Sequence, residues 1–187
     1  MIVALPSASA PRLVILQLSQ DDPSYAEITV YLIKTGRRIE ETCLLQKTDV
    51  ILGEGGLPES IRIRQEITKT KDTSLLPLDP ELSQVIAKAM QKNPKAAPLF
   101  TNVYGHKVAS NSYRIYLDEI CKAGKINSRI SPHCFRFYAV TRFSNHGVNP
   151  KDGMAITGHT DMTTYLSYSR TSPNGVMEAF SKAKIES

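Results

Sequence analysis

The sequence contains no run approaching the roughly 18 apolar residues of a membrane span, which argues against an integral helical membrane protein. Residues 1–18 are mildly apolar, and Ala8, Ser9 and Ala10 imitate a small-residue cleavage site. No basic stretch precedes them, and Pro6, Pro11 and Arg12 break the apolar run, so the secretory-signal pattern is missing. Cysteine is scarce. Cys43, Cys121 and Cys134 are odd in number, widely spaced and without a CxxC pair. That excludes an obvious disulfide frame or zinc ribbon and suits a reducing, cytoplasmic setting. There is no cluster of metal ligands and no Walker-type glycine loop. Internal repeats and low-complexity segments are also absent.

What remains is a globular composition. The chain has 187 residues, 41% hydrophobic and 22% charged, enough for one domain with a real core and a short arm. The net charge of +5 is unevenly placed. Residues 1–30 carry one basic and three acidic side chains, whereas residues 101–187 carry eleven and six. Residues 107–151 alone hold eight basic and two acidic groups. Such a field suits a polyanion such as nucleic acid, and the plain alternative is a solvated basic surface.

Periodicity predicts a mostly helical α+β domain with a small three-stranded antiparallel sheet. Residues 24–35 place Tyr25, Ile28, Tyr31 and Leu32 on one helical stripe, with Gly36 as the stop. Residues 38–46 read as a second helix. Strands are expected at 49–52, 60–67 and 74–78; in the middle one Ile61, Ile63 and Gln65 alternate with Arg62, Arg64 and Glu66. Asp79 and Pro80 open a helix over 79–91. Further helices are expected at 108–123, from Ser131 and Pro132 for about 14 residues, at 151–157, at 161–169, and in a tail at 174–184.

The residues able to carry chemistry follow in a fixed order. Thr35 and Gly36 precede Arg37, Arg38 and Glu41; Lys69 lies in a turn before Pro77; His133 and Arg136 share a helix face; Gly158 and His159 precede Tyr168 by ten and nine residues. Individually each has a bland reading. Arg38 and Glu41 suit a surface ion pair, Lys69 a solvated turn, His159 a core histidine, and Tyr165 or Tyr168 a packing residue. Those readings do not account for the order.

In that order the chain resembles the catalytic domain of the tyrosine recombinases, or phage integrases. The resemblance covers about residues 24–170: the TG-x-R-x-x-E stretch at Thr35, Gly36, Arg38 and Glu41, the hairpin lysine at Lys69, the HxxR box at His133 and Arg136, and GHTDMTTYLSY at 158–168. It departs from the family's usual pattern at Arg37 (usually Leu), Phe137 (often His) and Thr157 (usually Leu). The implied residues are Arg38, Lys69, His133, Arg136, His159 and Tyr168, supported by Glu41. Lys71 rivals Lys69, and Tyr165 rivals Tyr168.

The resemblance implies site-specific recombination and integration of double-stranded DNA, without metal or cofactor. Two guanidiniums suit a phosphate whose non-bridging oxygens gain charge during attack. A phenol ordinarily titrates near 10, so a tyrosine nucleophile needs a base, and His133 is the first choice, as base or phosphate ligand. Lys69 would protonate the leaving 5′-oxygen, His159 would hydrogen-bond the phosphate, and Glu41 would hold Arg38 or His133. The alternative activity is a catalytically silent relative that occupies recombination sites. A phosphate-recognising regulatory module and a type IB topoisomerase share parts of the pattern. The resemblance also implies self-association, as a tetramer on recombining DNA, through 174–184. Residues 1–22 read as an extension and 23–187 as the catalytic domain, with too little chain ahead of it for a core-binding module.

Overall fold

The computed structural model describes residues 23–68, 73–125 and 130–168. Helix α1 (Pro23–Thr35) is followed by the short α2 (Ile39–Cys43), a 3-10 turn (Lys47–Asp49) and three strands, β1 (Val50–Leu52), β2 (Pro58–Ile63) and β3 (Ser74–Pro77). Five helices complete it: α3 (Pro80–Lys92), α4 (Ser110–Ala123), α5 (Pro132–Asn145), α6 (Pro150–Thr157) and α7 (Met162–Ser167). This is the expected α+β arrangement. The sheet order is β1-β2-β3, both pairs antiparallel, with Val50 opposite Ile61 and Ile61 opposite Leu76. Among the described residues no helix is long and apolar enough to cross a membrane.

Helix α1 is the central post, lying against α3 and α5. Its stripe delivers Ile28, Tyr31 and Leu32, all fully buried. They join Ile61 and Ile63 of β2 and Ile86 of α3 in one core. Each such side chain contributes about 1.5–3 kcal/mol by leaving water. The Asp79 cap is present: its carboxylate accepts from Leu82 N at 2.7 Å, with Pro80 at the first helical position.

Two expected elements end three or more residues early. The helix over 38–46 ends at Cys43, because Leu45 O accepts from Leu99 N at 2.9 Å and Gln46 bridges Pro98. The middle strand ends at Ile63 rather than 67, where Ile67 N turns back to Arg64 O at 3.2 Å. The extension at 1–22, the loop residues Lys69 and Lys71 and the tail at 174–184 lie outside the described residues.

Candidate active site

The ends of α1 and α6 meet the middle of α5 at Gly36. Its left-handed backbone (φ +64°) stops α1, and a Cβ there would lie 2.9 Å from Ala139 of α5 and 3.0 Å from Thr157 of α6. The tight approach sends the next two residues into the gap between α5 and α6, in opposite senses. Arg37 turns inward and is buried; its Nη2 donates to Ala155 O at 2.8 Å, and Nη1 lies 3.9 Å from Glu41 Oε2. Arg38 stays about one-third exposed (32%) and donates from Nη1 to Glu41 Oε1 at 2.9 Å and to Gly158 O at 3.2 Å. Glu41, itself buried, therefore serves both arginines.

Arg136 enters from α5 and is 5% exposed. Its Nη1 donates to Gly36 O at 2.6 Å and to Thr157 O, and its Nε donates to His159 Nε2 at 3.2 Å. Nη2 is buried and has no partner among the described residues. Burial first, and then the nearby Arg38, pull the guanidinium down to about 10. It stays cationic at neutral pH. A buried donor without an acceptor is costly unless something binds it.

His159 completes this buried half. Burial, then Arg136 and the other neighbouring cations, push its pKa down to about 3, so the ring is neutral. Nε2 accepts from Arg136, which puts the single proton on Nδ1. That N–H points at Thr157 Oγ1, 2.7 Å away, and the Thr157 hydroxyl donates to Gly153 O at 2.8 Å. The sequence reading gave His159 a phosphate-binding part. Here its ring nitrogens meet Arg136 Nε and Thr157 Oγ1.

Tyr168 caps α7 on the outer side. Its backbone carbonyl accepts from Thr141 Oγ1 at 3.1 Å, and its hydroxyl lies 3.1 Å from His133 Nε2. The His133 pKa is lowered by partial burial and by Arg136. The neutral imidazole thus has a lone pair for the phenol proton. His133 stands in the first turn of α5, one helical turn before Arg136, so imidazole and guanidinium share a rigid element. An open pocket of about 190 Å³ lies over Arg38, His133 and Arg136, with Glu40 and Arg114 at its edge.

Tyr165, the rival tyrosine, faces the other way. It is 2% exposed, its hydroxyl has no partner among the described residues, and any Cβ on Gly153 would collide with it. The ring packs edge-on to His159, with centroids 5.4 Å apart.

The structure thus brings Arg38, Glu41, His133, Arg136, His159 and Tyr168 together, while Lys69 lies outside the described residues. Sequence reasoning missed Arg37, Gly153 and Thr157. Arg37 and Thr157 were noticed only as departures from a usual leucine; a hydroxyl two residues before a buried histidine was the available signal for Thr157.

The sequence pattern of the Phage integrase family matches residues 13–174, and the chain belongs to that family. Tyrosine recombinase XerC of Corynebacterium glutamicum is 26% identical over 160 residues, which cover 81% of this chain and 48% of the relative. The chain spans about half the length of that curated relative. The fold is also that of XerA recombinase, with a TM-score of 0.77 at 19% identity, covering all of this chain (100%) and 67% of the other. An integrase fragment from transposon Tn1549, solved with transposon right end DNA, gives a TM-score of 0.73 at 17% identity, covering 99% of this chain and 67% of that one.

Proposed function

We propose that this chain cleaves and rejoins double-stranded DNA through a transient 3′-phosphotyrosyl bond, in site-specific recombination or integration. One observation carries the reading: a tyrosine hydroxyl on a neutral histidine, beside two arginines, one of which keeps a buried nitrogen without a partner among the described residues. A phosphate oxygen is the acceptor that nitrogen lacks. Family membership and the DNA-bound Tn1549 relative support DNA as the partner.

The reaction balances with groups of this chain. Tyr168 Oη attacks phosphorus as its proton passes to His133 Nε2. The P–O5′ bond breaks, and the 5′-oxygen takes a proton, which we assign to Lys69 as the donor. Arg38 and Arg136 hold the non-bridging oxygens as charge builds, where one donor is worth roughly 3–4 kcal/mol. His159 and Glu41 fix the two guanidiniums. A 5′-hydroxyl from a second strand reverses the step. Self-association as a tetramer through 174–184, a catalytic domain over 23–187 and a cytoplasmic location belong to the same proposal.

The test is a suicide DNA substrate that traps the covalent complex, followed by mapping of the adduct. The adduct is expected on Tyr168, lost in Tyr168→Phe and retained in Tyr165→Phe. An adduct that survives Tyr168→Phe overturns the assignment. Binding without any adduct identifies the silent relative instead.

A further inference from the structure

Two charged residues at the edge of the pocket have no part in this chemistry. Arg114 rises from α4 and Glu40 from α2, and Arg114 Nη2 is ion-paired with Glu40 Oε1. Both are well exposed, their side chains 45% and 55% accessible. An exposed pair of this kind adds little to stability, so the fold does not require it. Its place is informative: the pair lines the same pocket as Arg38, His133 and Arg136. The adjacent Glu41 points inward to the arginines of the site, whereas Glu40 points outward to Arg114.

We infer that Arg114 is a second phosphate subsite, taking the backbone phosphate next to the one held by Arg38 and Arg136, with Glu40 as its built-in competitor. The inference rests on the DNA reading above. Every nucleotide carries a phosphate, so a strand laid across the pocket brings a neighbouring phosphate to its edge. A guanidinium fork grips carboxylate and phosphate through the same pair of oxygens. Glu40 therefore holds the place of the phosphate. Arrival of the strand exchanges one ion pair for another, and Glu40 returns to water that already reaches it. The exchange is cheap because the pair is exposed and screened by salt.

The experiment measures binding of a labelled duplex of mixed sequence between about 50 and 200 mM salt, where each phosphate contact adds about one to the slope of log affinity against log salt. Arg114→Gln is expected to weaken binding about tenfold and to flatten the slope by about one. Glu40→Gln is expected to tighten binding several-fold, and this gain is expected to vanish in the double variant. An unchanged slope in Arg114→Gln overturns the subsite. So does a Glu40→Gln gain that persists without Arg114, since it would report general charge alone. Circular dichroism verifies that the exposed substitutions leave the fold intact. The two readings fail separately: a wild-type protein that never forms a tyrosine adduct sinks the cleavage proposal, whereas a normal adduct with an unaltered salt slope sinks only the subsite.

Discussion

Arg136 and Tyr168 belong to one cluster of side chains, and the protein holds them by different means. Arg136 is sunk in the fold, tied to Gly36 O, Thr157 O and His159 by three of its bonds. His159 is in turn tied to Thr157, and Thr157 to Gly153. Tyr168 sits at a helix end with, among the described residues, a single side-chain hydrogen bond, to the exposed His133. The difference suits the proposed chemistry. An electrostatic cradle works best when it cannot relax, because its dipoles must already point at the charge that develops. A nucleophile must travel to phosphorus and back, so a dense network around it would oppose the reaction.

The sharpest way to break this contrast is to alter the fixed side. Arg136→Lys keeps the charge but loses the fork that reaches two carbonyls and a ring nitrogen at once. Adduct formation is expected to fall about 10³-fold, and urea unfolding is expected to show a stability loss of about 3 kcal/mol. A rate loss with no stability loss would mean that the cradle is not held together by Arg136, and the contrast would fail.

The exposed side should lose rate without losing stability. His133→Gln is expected to slow adduct formation about 10²-fold and to change unfolding free energy by no more than about 0.5 kcal/mol. The pH profile sharpens it. The active form is neutral His133, and its pKa lies below the ordinary 6.5. The wild-type rate should therefore hold above pH 6.5 and fall only as the medium becomes more acidic than the lowered pKa. That acid limb should disappear in His133→Gln. A limb that persists in the variant would place the base elsewhere.

Local signals made much of this legible. The Asp79 cap and Pro80 announce α3 within two residues, and the 3.6-residue stripe of α1 is visible in Tyr25, Ile28, Tyr31 and Leu32. The order of the arginines, histidines and tyrosine pointed to the site. What the sequence hid depends on partners far along the chain. The helix at 38–46 was cut short by pairing with Leu99 and Pro98. Arg37 stood out only as a departure from a usual leucine, because its acceptor, Ala155 O, lies 118 residues away. The inward seat of Tyr165 depends on the absence of a side chain at Gly153, which no helical pattern encodes.

A pH titration tests whether the buried half is as closed as its hydrogen bonds imply. In the folded protein His159 takes up its proton only near pH 3, whereas an unfolded chain does so near 6.5. Between those values the unfolded state binds the extra proton, so acid favours unfolding. The stabilising contribution is complete above about pH 6.5 and is lost as the pH falls toward 3, by up to about 1.4 kcal/mol per pH unit. His159→Gln keeps an acceptor for Arg136 and a donor for Thr157 but cannot titrate. Urea titrations across this window should give the variant a pH slope shallower by about one proton, while carboxylates and His133 affect both proteins alike. Equal slopes would mean that His159 is protonated freely in the native state, and that the pocket around Arg136 opens to water more readily than the Tyr168 side.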